Sequence, residues 1–392
     1  MAYDSENNGS SGSGRRKWAI IGSIVGLLAI IGIAVGVGVG VTQSNKNKNN
    51  SASSTTGAAG SASNPGGPVQ SDPNDPSTFQ KDPNLHKAFY GIAYTPEGSQ
   101  LPNCGNTLEN VIKDVQLMSQ ITTRVRLYGA DCNQSALVLE AIKQTKTDIE
   151  VYLGNYAVPD DNGAAYTRQR DTIKQAILDY GTDHIAGITV GNEFMLNYLN
   201  ANGATDPNSA VGNTGAQILI ANIDDTRKML ADMNLPKTIP VGNSDAGAYF
   251  NNKVLEASDY GMANVHPWFA NTTIQDAAGW TNQFFQETNV QPASLLSNKP
   301  KMYIAETGWP TKSSDAASAS NGALAAASVA NLQIFLDTFV CQANQNGTGY
   351  FYFEFFDEEW KDKQFGGVEG WWGLFNADRS LKNVKIPDCT AP

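Results

Sequence analysis

The chain has 392 residues, enough for one large domain or two ordinary ones. Its 37 glycines and 17 prolines are ordinary for this length and exclude a collagen-like or wholly disordered chain. The net charge of −11 argues against a nucleic-acid partner, because nucleic-acid binders carry a basic face. The charge is uneven: residues 1–50 hold five Lys/Arg and two Asp/Glu, a net of +3, so the rest carries −14.

Residues 18–41 predict a transmembrane helix that acts as a signal-anchor. They contain no ionisable side chain, and about 20 apolar residues cross a bilayer core. Arg15, Arg16 and Lys17 precede the run and favour a cytoplasmic tail over residues 1–17. A cleaved secretory signal is the alternative, but its apolar region is usually 7–15 residues long and ends in a small-residue cleavage site. We therefore expect a single-pass type II protein of the cell membrane.

Glycines recur at four-residue spacing in this run, namely Gly22 and Gly26, then Gly32, Gly36 and Gly40. Small residues at that spacing allow two membrane helices to approach closely, which predicts a weak helix–helix self-association. Ordinary tolerance of glycine in membrane helices explains the same pattern and is the favoured interpretation.

Residues 42–86 predict a flexible stalk. They are mostly Asn, Ser, Gly, Ala and Pro, and such a segment buries too little apolar surface to offset its ordering entropy. The stalk would hold the following domain away from the bilayer.

An even number of cysteines in an oxidising compartment predicts disulfides. The four cysteines are Cys104, Cys132, Cys341 and Cys389. Of the three pairings, we favour Cys104–Cys132 and Cys341–Cys389 because the partners are near in sequence. N-glycosylation sequons on the same side begin at Asn49, Asn133, Asn271 and Asn346.

From residue 87 to residue 392, short apolar runs alternate with longer amphipathic ones. The strand-like runs are 89–96, 123–129, 149–157, 185–193, 239–247, 261–269, 301–310 and 350–358. The clearest helix-like runs, with apolar residues three and four apart, are 107–119, 134–146, 170–180 and 216–233. Eight such alternations predict an α/β fold, a single (β/α)₈ TIM barrel. A doubly wound sheet is the alternative, but the first strand lacks its Gly-rich phosphate turn.

Active sites of such barrels lie at the C-terminal ends of the strands, where two runs place a carboxylate. Run four ends in Glu193 and run seven reaches Glu306, while run six adds His266. Two carboxylates at a barrel mouth suit glycoside hydrolysis, one protonating the leaving oxygen and the other attacking the anomeric carbon. Structural salt bridges to an arginine such as Arg126 are one alternative. A metal site made by the two glutamates and His266 is the other.

Aromatic residues lie at or just beyond the strand ends and predict sugar contacts, because flat rings cover the apolar faces of sugars. They are Tyr94, Tyr128, Trp268, Trp309, Trp371 and Trp372. Packing in the core is the alternative for each ring. The proposed chemistry needs no cofactor and no metal. Three histidines and four cysteines without CxxC or HxxxH spacing also disfavour a structural zinc site.

Five motifs in combination resemble glycoside hydrolase family 17, the β-1,3-glucanases and glucanosyltransferases of plants and fungi. They are VRLYG (125–129), VGNE (190–193), NVHPWF (264–269), ETGWP (306–310) and FFDEEWK (355–361). The similarity extends from residue 89 to residue 382. The apolar anchor and Ser/Asn-rich stalk are similar to those of membrane-bound fungal members that act on cell-wall glucan.

The resemblance implies a retaining enzyme of β-1,3-glucan. Glu193 matches the general acid/base and Glu306 the nucleophile, while Asn192 would hold the 2-hydroxyl of the reacting sugar. Further residues would support the site or bind substrate: Tyr94, Tyr128, His266, Trp268, Trp309, Glu358, Lys361 and Glu369. His266 stands where plant members typically carry an aromatic, and the run between strands five and six is short. These departures concern subsite number and chain length rather than the chemistry.

Three functions remain distinguishable. A hydrolase lets water resolve the glucosyl–enzyme, and a glucanosyltransferase admits another glucan chain instead. An inactive glucan-binding protein would lack a carboxylate, and both are present. We expect hydrolysis of internal β-1,3 bonds of wall glucan as the activity.

Overall fold

The computed structural model describes residues 68–72, 74–323 and 325–392. Eight parallel strands pair in chain order and close into a barrel, because the first also pairs with the eighth. The strands are β1 (Gly91–Tyr94), β2 (Arg124–Leu127), β3 (Glu150–Asn155), β4 (Ile185–Asn192), β5 (Val241–Ala246), β6 (Tyr260–Asn264), β7 (Lys301–Thr307) and β8 (Tyr350–Tyr352). The barrel prediction is confirmed, and the doubly wound alternative is wrong.

Helices surround the barrel and return the chain from the end of one strand to the start of the next. They are α1 (Leu108–Met118), α2 (Gln134–Thr145), α3 (Ala164–Tyr180), α4 (Phe194–Ala201), α5 (Ala210–Asp232), α6 (Asn252–Glu256), α7 (Ala277–Phe284), α8 (Gln291–Ser294), α9 (Val329–Gln345) and α10 (Glu359–Phe365). The four expected helices correspond to α1, α2, α3 and α5. A π-helical turn, Phe285–Val290, joins α7 to α8.

Local signals explain where the long helices begin. The hydroxyl of Thr107 accepts from the backbone N–H of Asn110 at the start of α1. Ser328 does the same for α9, at 3.2 Å from the Asn331 nitrogen. Such caps satisfy N–H groups that have no partner inside the helix.

Strand β8 is shorter than expected. The apolar run 350–358 predicts nine residues, but pairing ends at Tyr352. The chain then turns toward the segment around Phe375, which forms an isolated bridge with Phe356. Glu354 and the residues after it therefore belong to a loop at the mouth rather than to the strand.

Aromatic side chains fill the N-terminal end of the barrel, here called the base. The ring of Tyr152 lies 5.5 Å from that of Tyr260 and 5.4 Å from that of Phe351, each edge-on. Tyr303 also lies within 6.1 Å of both tyrosines. A Cβ atom at Gly242 would come within 2.3 Å of the Tyr260 ring, so this glycine makes room for the aromatic layer. The base is a packed plug, as expected for a barrel of this size.

Residues 68–86, assigned to the stalk by sequence, contact the barrel in the described structure. The side-chain amide of Gln116 donates to the Pro76 carbonyl at 2.8 Å, and the Asp82 backbone N–H donates to Gln120 at 2.7 Å. Both glutamines lie at the C-terminal end of α1, on the base side. Pro76 and Asp82 thus have hydrogen-bond partners on α1 or just after it, and the assignment of 42–86 as a flexible stalk stays a prediction. Residues 42–67 lie outside the described residues.

The two disulfides predicted from sequence proximity are confirmed. Cys104 is bonded to Cys132 and Cys341 to Cys389, with Cα–Cα distances of 5.3 and 5.9 Å. The described sequon asparagines are all exposed, namely Asn133, Asn271 and Asn346. Asn49 lies outside the described residues, and glycosylation stays a prediction.

Within the described part of the chain, no helix is both long enough and apolar enough to cross a bilayer. The expected membrane helix, residues 18–41, and the expected cytoplasmic tail, residues 1–17, lie outside the described residues. The anchor and its self-association therefore stay predictions.

Candidate active site

Backbone geometry at the end of β4 directs Glu193 into the mouth. Gly191 has φ +85°, a left-handed conformation that favours glycine, and the register with β5 shifts between Thr189 and Asn192. Glu193 itself is left-handed, with φ 54°. Non-glycine residues hold this conformation where the surroundings enforce it, and such residues cluster at functional sites. Helix α4 begins at the next residue.

Asp245 on β5 fixes this turn from below. Its buried carboxylate accepts the backbone N–H of Met195 at 2.8 Å and that of Leu196 at 3.3 Å. These are N–H groups of the first turn of α4, which have no partner inside the helix. Asp245 thus holds the start of α4, and with it the position of Glu193.

Glu306 lies near the end of β7, and each of its carboxylate oxygens meets one nitrogen. Arg126 Nη1 donates to Oε1 at 3.1 Å, and His266 Nε2 lies 3.0 Å from Oε2. Burial alone would raise the pKa of Glu306. The hydrogen bond from His266 and the charge of Arg126, the two largest opposing effects, outweigh burial and lower the pKa of Glu306 to about 2. Glu306 is therefore an anion at any ordinary pH.

Arg126 is buried in the barrel and connects three strands. In addition to Glu306 it donates from Nη2 to Asn192 Oδ1 at 2.6 Å and to Ser244 Oγ at 2.9 Å. The structural alternative from sequence, an arginine paired with Glu306, is real. It does not compete with a chemical role, because the pair keeps the carboxylate ionised and fixed in the mouth.

Glu193 has the opposite electrostatic environment. The Asn264 side-chain amide donates to its Oε1 at 3.1 Å, and no described cation forms a salt bridge with it. Burial and the negative charge of Glu306 raise the pKa of Glu193 to about 7, against the weaker effect of Asn264. Two carboxylates at one mouth are thus held in different protonation states near neutral pH, which is the combination that an acid and a nucleophile require.

Behind Glu306, Lys361 on α10 bridges two buried glutamates. Its Nζ lies 2.6 Å from Glu354 Oε2 and 3.1 Å from Glu358 Oε2. Burial raises the pKa of Glu369, while the charge of Lys361 lowers it. The expected grouping of Glu358, Lys361 and Glu369 near the site is consistent with these contacts. Glu354, which sequence placed on β8, joins it.

The aromatic residues separate into two sets. Tyr128 lies at the mouth: its ring covers the Arg126 guanidinium at 4.2 Å, and burial and the charge of Glu306 raise the pKa of its hydroxyl. Tyr156, which sequence reasoning missed, follows β3 and is 36% exposed. Burial of its hydroxyl and the charges of Glu193 and Glu306 raise the pKa of Tyr156 to about 12. The signal available in the sequence was an aromatic residue at the end of the third strand-like run.

The second set belongs to the core and corrects the sequence expectation. Tyr94 is buried and donates to Asp114 on α1 at 2.7 Å, which turns it away from the mouth. Trp309 is buried, and its indole N–H donates to the Ala326 carbonyl. Trp268 packs edge-on against Trp309 with centroids 5.3 Å apart and is 4% exposed. The sequence does not distinguish a large aromatic residue that faces the mouth from one that faces the helices, because both follow a strand.

The described residues contain no group of three or more His, Cys, Asp or Glu side chains placed to hold a metal ion. His266 and Glu306 are in contact, but Arg126 occupies the other side of that carboxylate. A fixed cation at this place disfavours a second one, which argues against the metal alternative.

Comparison with protein families gives a match over most of the barrel. The family model of the BtgE/BtgC glycoside hydrolase domain matches residues 91–373, from β1 to the loop beyond α10. The chain belongs to the BtgE/BtgC glycoside hydrolase domain family. The resemblance drawn from the five motifs is confirmed at this level, and the matched region includes both Glu193 and Glu306.

Curated members of this family are similar over most of the chain. A probable glucan endo-1,3-beta-glucosidase btgC of Aspergillus flavus is 38% identical over 393 residues, covering 96% of this chain and 54% of the relative. The glucan endo-1,3-beta-glucosidase btgC of Emericella nidulans is 37% identical over 320 residues, covering 78% of this chain and 47% of the relative. The chain thus spans about half the length of these relatives.

Among solved structures, the BtgE/BtgC barrel is similar to the glycoside hydrolase family 17 beta-1,3-glucanosyltransferase of Rhizomucor miehei. The TM-score is 0.60 at 26% identity, and the match covers 77% of this chain and 97% of that one. The barrel of this chain therefore contains nearly the whole length of a family 17 fold.

Proposed function

We propose that the protein is a retaining glycoside hydrolase that cleaves internal β-1,3-glucosidic bonds of cell-wall glucan. The observation that carries this is the split between two mouth carboxylates. The pKa of Glu193 is raised to about 7 and that of Glu306 is lowered to about 2. Curated relatives named glucan endo-1,3-beta-glucosidase support the substrate class. Neither carboxylate requires a cofactor for this reaction.

In the first step Glu306 attacks the anomeric carbon as the glycosidic C–O bond breaks. The bonding electrons go to the departing oxygen, which takes the proton of Glu193, and a glucosyl ester of Glu306 remains. Asn192, held by Arg126, is placed beside the nucleophile to bind the 2-hydroxyl of the reacting sugar. In the second step Glu193, now ionised, takes a proton from water, which attacks the same carbon and releases Glu306.

The test is a product ladder. The full chain, expressed in a secretory host and solubilised in detergent, is incubated with a defined β-1,3-gluco-oligosaccharide at two concentrations, and the product masses are measured. We expect shorter chains only, with the β configuration at the newly formed reducing end. Absence of any product on β-1,3 substrates would favour the glucan-binding alternative and overturn the proposal.

A β-1,3-glucanosyltransferase is the second candidate, because the Rhizomucor miehei enzyme with that activity matches the barrel over 97% of its length. The same two carboxylates would form the same glucosyl ester, and a second glucan chain would replace water. Products longer than the substrate, increasing with its concentration, would identify this activity. A chelator should leave either reaction unchanged, because neither uses a metal.

We also propose that residues 18–41 anchor the protein in the cell membrane as a single-pass type II protein whose barrel faces the cell wall. Residues 68–86 run along the base, at the opposite end from Glu193 and Glu306. A tether that arrives at the base leaves the mouth directed toward the glucan. Extraction of cell membranes with alkaline carbonate should leave the full chain in the pellet and release a variant lacking residues 18–41. Release of both would refute the anchor.

A further inference from the structure

The contact between His266 and Glu306 has a consequence beyond the two-carboxylate mechanism. We propose that His266 is a positioning residue that, as a neutral imidazole protonated on Nε2, holds Glu306 ionised and oriented for attack. The inference rests on the proposed role of Glu306 as nucleophile. It replaces the expectation that His266 binds substrate.

The hydrogen-bond geometry requires a proton on Nε2. A carboxylate oxygen only accepts, so at 3.0 Å the His266 Nε2 must donate to Glu306 Oε2. The other oxygen is already taken by Arg126 at 3.1 Å. The two donors together leave the carboxylate one orientation in the mouth, which a nucleophile needs in order to meet the anomeric carbon.

The second ring nitrogen indicates that the imidazole is neutral. Nδ1 of His266 is buried and has no hydrogen-bond partner among the described residues. The rings of Phe269, Phe353 and Trp372 pack against the imidazole, with centroids 5.8, 5.2 and 5.2 Å from the centroid of the His266 ring. An imidazolium would place a second, charged N–H among these rings without an acceptor, which is costly. Arg126 already balances the charge of Glu306, so no second cation is needed.

A neutral donor suits both steps of the reaction. The N–H stabilises the carboxylate before attack and again as it leaves the glucosyl ester. A full positive charge would hold the anion more strongly and weaken it as a nucleophile. His266 therefore sets the lowest pH at which Glu306 can act.

Other charged or titratable groups also face Glu306 and define the controls. They are Arg126 from β2, Tyr128 after β2, Tyr156 after β3, Glu193 after β4, Lys361 from α10 and Glu369 from the following loop. Of these, Glu193 governs the alkaline side of the pH profile. Burial raises the pKa of Glu369, the other carboxyl in this set, so each His266 variant is also made with Glu369→Gln.

The experiment compares full-length wild type with His266→Phe and His266→Gln. The substrate is a nitrophenyl β-1,3-oligoglucoside, whose leaving group needs little proton transfer, so the acid side of kcat/KM reports the nucleophile. We expect His266→Phe to move that limb to higher pH by about one unit or more, because the donor is lost. His266→Gln, which keeps an N–H, should restore it to within about 0.3 unit, with or without Glu369→Gln.

The proposal would be overturned if the acid limb of the kcat/KM profile did not move in His266→Phe, or if it moved equally far in His266→Gln. Glu306→Ala serves as the reference: full turnover there would refute the proposed function itself, whereas loss there with an unmoved limb refutes this inference alone. If the variants fold poorly, ¹⁵N-histidine spectra of the wild type at pH 6 decide it. His86→Gln and His184→Gln assign two of the three ring signals, so the third belongs to His266. We expect Nε2–H with bare Nδ1 for His266; an imidazolium or the Nδ1–H form would contradict it.

Discussion

The two ends of the barrel both bury polar residues, but they do so differently. At the base, Tyr152, Tyr260 and Tyr303 pack edge to edge, and burial raises the pKa of Tyr152 and Tyr260 so that the phenols stay neutral. At the mouth, Glu193 and Glu306 lie close enough for the charge of Glu306 to raise the pKa of Glu193, and the two carboxyl groups are held in opposite protonation states. The neutral aromatic plug at the base stabilises the fold. The two carboxylates at the mouth differ in pKa, which is what the proposed chemistry requires.

The largest effect should come from removing the nucleophile. Glu306→Ala should lower turnover of every β-1,3 substrate by at least about 10⁴-fold, because no other carboxylate can form the ester. Rates on laminarin and on an aryl oligoglucoside measure this. Added azide should partly restore cleavage of the aryl substrate and give a glycosyl azide of inverted configuration. A retained β product would contradict the assignment.

The acid/base should show a substrate-dependent loss. Glu193→Ala should lower turnover of natural glucan by about 10²–10⁴-fold while retaining cleavage of an aryl oligoglucoside, since a nitrophenolate leaves without a proton. The matched control is Glu359→Ala on α10, a partner of Lys363 on the exterior, which should behave as wild type on both substrates. Equal losses on the two substrates in Glu193→Ala would refute the role.

A substitution at the base should have the opposite effect. It should lower the free energy of unfolding and leave kcat unchanged. Tyr152→Ala should cost about 3–5 kcal/mol in the free energy of unfolding, because it leaves a cavity among Tyr260, Tyr303 and Phe351. Denaturant unfolding measures the loss, and kcat on a natural glucan should be unchanged in the folded fraction. A fall in kcat would show that the two ends are coupled.

Stability should also depend on pH through Glu193. Its pKa in the fold, about 7, lies above the ordinary value of 4.5, so the stabilisation is complete below pH 4.5 and is lost as the pH rises to 7. The loss is about 3 kcal/mol. Glu193→Gln should abolish this part of the pH dependence in thermal unfolding. An unchanged slope would mean that Glu193 titrates normally.

Some features of the site were readable in the chain. Glu193 and Glu306 end apolar runs, and the order of eight runs identified which ends meet at one face. The site's electrostatics were not readable: Asn264 and Asp245 come from β6 and β5, yet they bond to Glu193 and to the turn after it. Nothing local in the sequence marks such partners, because they are assembled by barrel closure.

The sequence by itself determined the barrel, the two disulfides and the position of Glu193 and Glu306 at strand ends, because these depend on periodicity, spacing and local motifs. Only the tertiary structure decided which aromatic side chains lie at the mouth and which are buried in the core. Tyr156 is partly exposed at the mouth, whereas Tyr94 and Trp309 are buried. The tertiary structure also decided the protonation states of Glu193 and Glu306. A pKa depends on desolvation and on charges brought within a few ångströms, and residues as distant along the chain as Arg126, His266 and Glu306 meet only when the barrel closes.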